Sequence, residues 1–234
     1  MTVLRIPGVA NIRDVGGIPV GGSQVREGVL LRSGNLARLT AEGGDLLRSR
    51  VRRVVDLRDD AEVAAEPSAL SEVVVTRVPL FLGSVASFFA EDLSLTDMYR
   101  HLVDDAAPRL IDAIRIIAEG DPTLVHCTVG KDRTGVTVAL ALSAVGADRE
   151  AVIADYALTA SQLPERRSRS VLRYLQAQHP EARHLVDLVT ASPAPVMRGL
   201  LAELDARHGS VADYLQANGL GDDELRALRV ALVA

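Results

Sequence analysis

The sequence predicts an α/β fold: a sandwich with a central, mostly parallel sheet flanked by helices, plus an extra C-terminal helical part. Two observations support it. Short β-branched runs alternate with helical patterns in the first two thirds of the chain, and from Asp148 onward the pattern is helical throughout. The 234 residues, 48% of them hydrophobic, suffice for one large core. We therefore expect one domain over residues 1–234, with residues 151–234 as a helical extension packed on it.

The elements follow in chain order. Residues 29–31 read as a short strand, and residues 39–50 as a helix capped by Thr40. The runs RVVDL at 53–57 and VVVTRVPL at 73–80 are typical of buried strands.

Residues 93–119 carry two helical patterns separated near Ala107 and Pro108. An apolar run at 123–125, a glycine-containing loop and a buried helix at 134–145 come next. The later helices break at prolines and glycines, and we expect them to shape access to a site. The core contacts expected in this part are Leu172, Tyr174 and Leu175.

Charge and cysteine usage exclude several classes of protein. The 31 acidic and 26 basic residues give a formal charge of -5, which argues against a nucleic-acid partner. One cysteine excludes an internal disulfide. No run of about 18 apolar residues and no Sec-type leader pattern occurs, so we predict a soluble, cytoplasmic protein without an integral membrane segment. Export without such a signal and the oligomeric state stay open.

The most informative segment is HCTVGKDRTG, from His126 to Gly135, which lies between an apolar strand and a buried helix. It fits the pattern Cys-x5-Arg-Thr. Five intervening residues let the backbone curl into a cradle whose amides point at a tetrahedral oxyanion, and the following helix aims its positive end there. The pattern predicts a phosphate-binding loop.

The residue types in this loop suit phosphate ester chemistry. The amides and the helix end favour a thiolate at Cys127, which makes it a nucleophile. Arg133 has a planar fork for two phosphate oxygens. Thr134 is a donor to the sulfur, while Gly130 and Gly135 permit positive φ and close backbone approach. The alternative is a buried core thiol in an ordinary strand-to-helix turn.

The chain resembles bacterial tyrosine phosphatases of the PtpB type, which are atypical triple-specificity enzymes. The resemblance rests on HCTVGKDRTG, NIRDVGG at 11–17, VVDLRDDAE at 54–62, GSVADYL and LRALRVAL, and so spans nearly the whole chain. It implies a phosphatase-type sandwich, no metal or other cofactor, and a phosphorylated protein or phosphoinositide as substrate. By resemblance, Asp132 is the general acid, and Lys131, the only lysine, adds positive charge for substrates with several phosphates.

The general acid has a second candidate, because several carboxylates lie near the loop in sequence. The chain has no tryptophan, so the usual Trp-Pro-Asp acid loop is absent. Asp56, at the end of a predicted strand, is the alternative, or it positions loop residues through Arg58 or Arg133. Surface charges are the better interpretation of Asp59, Asp60 and Glu62. The predicted substrate-binding set is Thr128, Val129, Gly130, Lys131, His126 and Asp56.

Other residues carry two interpretations each. His126 either holds the loop or is an ordinary core histidine. Asn11, Arg13 and Asp14 either border the site, by resemblance, or form a turn. We expect core packing for Phe81, Phe88 and Phe89, with a lid or a wall of the substrate site as the alternatives.

The predicted activity is hydrolysis of phosphate monoesters through a phosphocysteine intermediate. Two alternatives stay open: rhodanese-like sulfur transfer, which also uses a cysteine in an anion-binding loop, and a catalytically silent module that binds phosphate or phosphoinositide headgroups. Metal-dependent hydrolysis has little support because the five histidines lie far apart in sequence.

Overall fold

A computed structural model describes residues 1–80 and 92–234. Its central sheet has the strand order β1-β2-β5-β8-β6-β7, and β3 and β4 form a separate pair. Strands β5, β8, β6 and β7 run parallel, while β1 and β2 add antiparallel at one edge. This confirms the predicted mostly parallel sheet. The strands are β1 Thr2–Val3, β2 Arg13–Asp14, β3 Pro19–Val20, β4 Ser23–Gln24, β5 Leu30–Ser33, β6 Arg53–Asp56, β7 Val74–Arg77 and β8 Thr123–His126.

Helices flank the sheet and make up the C-terminal part, which confirms the α/β class with extra C-terminal helices. In the described residues they are α1 Ala41–Arg48, α2 Asp60–Ala65, α3 Leu95–Asp104, α4 Ala107–Ala118, α5 Asp132–Ala144, α6 Arg149–Gln162, α7 Glu165–Gln178, α8 Leu185–Thr190, α9 Ala194–His208, α10 Val211–Ala217 and α11 Asp222–Leu232.

Alternation along the strands divides the core in two. Leu31, Val54 and Leu124 face a smaller cluster that includes Leu47 of α1. An adjacent residue of each strand faces a larger cluster, to which α3–α6 and α9–α11 contribute: Leu30, Val55 and Val125. The strand β8 is therefore buried on both faces, and helix α5 behind it is buried along most of its length.

The site's position follows from this topology. The chain leaves β8 at His126 and enters α5 at Asp132, so the loop between them lies at the carboxyl edge of the parallel strands. The residues that follow β5 and β6 reach the same edge, because parallel neighbours end on the same side. Three segments distant in sequence thus converge there.

Some predicted elements differ in position or burial. Helix α5 begins two residues earlier than predicted, and the break between α3 and α4 lies at residues 105–106, with Pro108 in the first turn of α4. β7 was predicted to be buried, but it is the last strand in the described sheet, and Val74 is 59% exposed.

The core contacts predicted on α7 were wrong. None of its residues is buried, and Tyr174 is 64% exposed. The expectation for Phe81, Phe88 and Phe89 falls outside the described residues. In the described part of the chain, no helix has the length and hydropathy needed to cross a bilayer.

Candidate active site

The loop from Cys127 to Arg133 curls tightly over the end of the sheet. Cys127 directly follows β8 and is 2% exposed. Gly130 has φ 71°, and a Cβ atom there would lie 2.2 Å from the carbonyl oxygen of Ser33. Only glycine permits both the left-handed backbone and this approach. The prediction for Gly130 is confirmed.

The loop carries backbone N–H donors that have no partner in the part of the chain that the structure describes. Among the described residues, the amides of Thr128, Val129, Gly130, Lys131 and Asp132 donate no hydrogen bond. Helix α5 starts at Asp132 with no side-chain cap, so its first turn adds further amides and the positive end of the helix dipole. Such an arrangement stabilises a bound oxyanion.

Arg133 is held in place by a carboxylate from another segment. Its Nη1 donates to Oε2 of Glu62 and its Nη2 to Oε1, each at 2.6 Å. Nη1 also reaches the Leu57 carbonyl at 3.3 Å, and Nη2 reaches the Thr128 hydroxyl at 3.2 Å. The expectation that Glu62 is a surface charge was wrong: its side chain is 20% exposed and forms a bidentate pair with the arginine.

Asp132 lies beside the cavity, whereas Lys131 is turned to α8 and to Asp132 itself. Asp132 lines the cavity above Cys127. The Lys131 ammonium group donates to the carbonyl oxygens of Leu188 at 2.7 Å and Ala191 at 2.9 Å, and lies 3.3 Å from Oδ1 of Asp132. It thus satisfies carbonyl groups at the C-terminal end of α8.

Asp56 is paired with its near neighbour in sequence. Its carboxylate accepts from Nε and Nη2 of Arg58 at 2.9 and 2.7 Å, and both side chains are buried. Burial acts to raise the pKa of Asp56, but the hydrogen bonds and the positive charge of Arg58 outweigh it and lower the pKa. A carboxylate held ionised by a buried guanidinium is a poor proton donor.

His126 supports the loop from below. Its Nδ1 lies 3.1 Å from the carbonyl oxygen of Cys127, to which it donates when it carries the proton. Burial lowers the pKa of His126, so the imidazole is neutral. Nε2 lies 3.8 Å from Asp56.

The two residues that open the buried part of α5 differ in role. The Thr134 hydroxyl is buried and has no hydrogen-bond partner among the described residues. Gly135 is not in the positive-φ region, unlike the prediction. A Cβ atom there would lie 3.0 Å from the Tyr156 ring, so this glycine instead permits α5 and α6 to pack closely.

A cavity of about 600 Å³ opens above the loop. Its floor is Cys127, Thr128, Val129, Asp132 and Arg133, with Glu62 beside them. The walls are largely apolar and come from α3, from α7 and the two residues before it, and from α8. They include Met98, Leu163, Pro164, Val171, Tyr174, Leu175, Leu188 and Val189.

Comparison with known protein families decides the relationship of the chain. The model of the tyrosine phosphatase family matches residues 4–234, nearly the whole length. The chain belongs to that family.

Two relatives by sequence agree with this assignment. The phosphatase is 29% identical to triple specificity protein phosphatase PtpB of Mycobacterium tuberculosis, over 100% of both chains. It is 28% identical to a putative tyrosine-protein phosphatase of Cupriavidus necator, over 89% of this chain and 81% of the relative. A solved structure, TpbA of P. aeruginosa, matches with 20% identity and a TM-score of 0.35, covering 80% of this chain and 99% of that one.

Two side chains hold the outer side of the phosphatase's loop. Asn11 donates from Nδ2 to the carbonyl oxygens of Val129 and Gly130, both at 3.0 Å, and Arg32 donates to the Gly130 carbonyl at 2.9 Å. Asn11 has φ 55°, a conformation that asparagine tolerates better than most residues. With these carbonyl groups held outside, the loop amides are free to face inward.

A buried ion triad supports this outer layer. Asp155 of α6 accepts from Nε of Arg13 at 2.7 Å and from Nη1 of Arg32 at 2.6 Å. Arg13 also donates to Oδ1 of Asn11 at 2.5 Å. Asp14 instead accepts from the amides of Gly16 and Gly28 and so stabilises turns. Arg32 and Asp155 were not predicted as site residues, because neither belongs to a local sequence motif.

Glu62 is fixed by four donors. Besides Arg133, it accepts from the Asp59 amide at 3.0 Å, as part of a capping box on α2, and from the Thr128 hydroxyl. The spacing Asp59-x-x-Glu62 was the available sequence signal. Burial acts to raise the pKa of Glu62, but Arg133 and the other donors outweigh it and lower the pKa from 4.5 to about 2.

We predict that Glu62→Gln destabilises the phosphatase in a pH-dependent way. A carboxylate with a lowered folded-state pKa stabilises the fold above about pH 4.5, and this stabilisation is lost as the pH falls toward 2. Allowing for partial solvent screening, we expect a loss on the order of 2 kcal/mol at pH 7 that shrinks below pH 4.5. Urea unfolding of both proteins from pH 3 to 7 measures it.

The control for that prediction is Glu119→Gln, which removes the charge of a half-exposed partner of Arg53. We expect a change below about 1 kcal/mol at every pH. A Glu62→Gln loss that is constant from pH 3 to 7 would contradict the prediction.

Proposed function

We propose that this phosphatase hydrolyses phosphate monoesters in two steps through a phosphocysteine on Cys127. The observation that carries the proposal is the nearly buried cysteine at the floor of the cavity, within a loop whose inward amides have no described partner. Arg133 lies in the first turn of α5 and is held by Glu62. These groups match the charge and shape of a phosphate with three equatorial oxygens.

In the first step, Sγ of Cys127 attacks phosphorus and the bond from phosphorus to the leaving oxygen breaks. Asp132 gives its proton to that oxygen, while Arg133 and the loop amides stabilise the charge on the equatorial oxygens. In the second step, water attacks phosphorus, the sulfur–phosphorus bond breaks, and the Asp132 carboxylate takes the water's proton. The Thr134 hydroxyl donates to the departing thiolate.

The other loop residues are proposed to bind the phosphate through their backbone amides. We assign phosphate binding to the amides of Thr128, Val129, Gly130 and Lys131. Because the Lys131 ammonium group is turned to α8 and Asp132, we assign it no direct phosphate contact. We assign His126 and Asp56 to support of the loop beneath the phosphate, rather than to contact with it.

The cavity supports an aromatic leaving group. Its largely apolar walls suit a phenyl ring better than a short serine or threonine side chain. We therefore propose phosphotyrosine as the preferred substrate. Phosphoserine, phosphothreonine and phosphoinositides are further candidates, since one relative is named a triple specificity protein phosphatase.

The test is hydrolysis of para-nitrophenyl phosphate and a phosphotyrosine peptide in EDTA, from pH 4 to 8, with acid quench of the enzyme during turnover. We expect metal-independent turnover and one phosphoryl group on the peptide that contains Cys127. Turnover without a trapped phosphoenzyme, or phosphate on another residue, would contradict the mechanism. An inactive protein that transfers sulfur from thiosulfate, or only binds phosphate, would favour the sulfurtransferase or the binding module.

A further inference from the structure

Two tyrosines outside the loop are connected to its aspartate. Tyr99 of α3 and Tyr156 of α6 are both completely buried. The Tyr99 hydroxyl donates to Oδ1 of Asp132 at 2.8 Å and lies 2.7 Å from the Tyr156 hydroxyl. The rings pack edge to face with centroids 6.0 Å apart. The geometry thus links Asp132 to two helices that are far from it in sequence.

The protons in the hydrogen bonds that join Tyr156, Tyr99 and Asp132 have one consistent arrangement. Burial raises the pKa of both tyrosines, and the charge of Asp132 adds to the effect, so both hydroxyls keep their protons at neutral pH. Each hydroxyl has a single proton. If Tyr99 donates to the carboxylate, its oxygen is left to accept from Tyr156. The donors therefore run from Tyr156 to Tyr99 to Asp132.

The two oxygens of Asp132 differ as a result. Oδ1 receives Tyr99 and lies 3.3 Å from the Lys131 ammonium group. Oδ2 makes no hydrogen bond to a described residue, and Asp132 lines the cavity. Because Oδ1 already accepts from Tyr99 and lies near Lys131, Oδ2 carries the proton of a neutral Asp132. Oδ2 is also the oxygen that remains available to a substrate.

We propose that Tyr99, supported by Tyr156, is a positioning residue that turns Asp132 so that protonated Oδ2 meets the leaving oxygen. This inference rests on the proposed function, and specifically on Asp132 as the acid. The Oδ2 proton goes to the leaving oxygen as the sulfur–phosphorus bond forms, and Oδ2 recovers a proton from the attacking water in the second step. The tyrosine protons do not leave their oxygens.

The charged and titratable groups around Asp132 come from three elements. Lys131 and Arg133 flank it on its own loop and helix, Tyr99 faces it from α3, and Tyr156 stands behind Tyr99 on α6. The contacts of Lys131 to α8 are to carbonyl groups. Tyr99 is therefore the neutral donor whose removal leaves the surrounding charges in place.

The test compares wild type with Tyr99→Phe on two substrates, para-nitrophenyl phosphate and phenyl phosphate, across pH 4 to 8. The second leaving group is more basic and depends more on a proton donor. We expect kcat on phenyl phosphate to fall about tenfold, a fraction of the ~10²–10⁴ that a general acid supplies, and kcat on para-nitrophenyl phosphate to fall less. Removing a donor from the carboxylate also moves the basic limb of kcat to higher pH.

Two further variants keep the result interpretable. Tyr156→Phe removes the outer donor, and we expect the same changes at smaller size. Tyr214→Phe removes an equally buried hydroxyl, which donates to the Val103 carbonyl at 2.6 Å away from the site, and we expect an unchanged pH profile. Equal losses of Tyr99→Phe on both substrates with an unmoved basic limb would show a merely structural role and overturn the proposal.

Asp132→Asn separates this inference from the proposed function. If Asp132 is the acid, this variant loses the basic limb and becomes strongly dependent on the leaving group. If the variant keeps the basic limb and the wild-type dependence on the leaving group, Asp132 is not the acid. The proposal for Tyr99 is then wrong as well. The phosphocysteine mechanism would still stand in that case, provided that the quenched enzyme carries phosphate on Cys127.

Discussion

Cys127→Ser is expected to lower turnover of para-nitrophenyl phosphate by at least about 10⁴-fold, because a serine hydroxyl at neutral pH is a far weaker nucleophile than a thiolate. The substitution changes one atom in a side chain that is almost fully enclosed. The hydrogen bonds of Arg133 to Glu62, Leu57 and Thr128 do not involve the sulfur, so we expect the arginine to keep its place. The loss should therefore be chemical and not structural.

Binding is the second half of this prediction. The serine variant keeps the oxyanion-binding amides and Arg133, and it lacks a negative sulfur that repels phosphate. We expect a phosphotyrosine peptide to bind it at least as tightly as the wild type binds inorganic phosphate, as measured by calorimetry. An unchanged thermal unfolding midpoint is the control. Residual turnover above roughly one part in a hundred of wild type would contradict Cys127 as the nucleophile.

Asp155→Ala is expected to destabilise the protein by about 3–5 kcal/mol, because it leaves two buried arginines without their shared carboxylate. Burial acts to raise the pKa of Asp155, but Arg32 and Arg13 outweigh it and lower the pKa, so the carboxylate is ionised in the fold. Such a loss is a large part of the 5–15 kcal/mol that stabilises a typical domain. Urea or thermal unfolding measures it.

The matched control is Glu150→Ala on the same helix. Glu150 pairs with Arg198 at 2.6 Å, but both side chains are largely exposed, so we expect a loss within about 1 kcal/mol. Because Arg32 also holds the Gly130 carbonyl, Asp155→Ala should reduce activity even where the protein is fully folded. Equal stability losses for the two variants would contradict the role of the buried triad.

Local sequence predicted the placement of the loop between a buried strand and a buried helix. Cys127, Gly130 and Arg133 are neighbours in sequence, and a strand, a short loop and a helix start leave the backbone few other conformations. The parallel strands were also predictable, because β-branched runs between helices indicate strands at that spacing. The two-residue strands β1–β4 were not predicted, since two residues cannot show an alternation pattern.

The side chains that support the loop could not be predicted from local sequence patterns. Asp155 and Arg32 are 123 residues apart in sequence, and Glu62 and Arg133 are 71 apart. A lone acidic residue on a helix is usually a surface charge, and only the packing of α6 on α5 and of α2 over the loop buries these two. Tyr99 and Tyr156 belong to no sequence motif and were not predicted as site residues.

Sequence by itself determined the family, the α/β class, and the placement of Cys127, Gly130 and Arg133 in one loop. These features depend on short patterns of residues close together in the chain. Tertiary structure alone decided which carboxylate holds Arg133, which ions hold the loop's outer carbonyl groups, and where the Lys131 ammonium group is turned. The physical reason is that a charge is stabilised by whatever the fold brings within a few ångströms, and that distance is unrelated to separation along the chain.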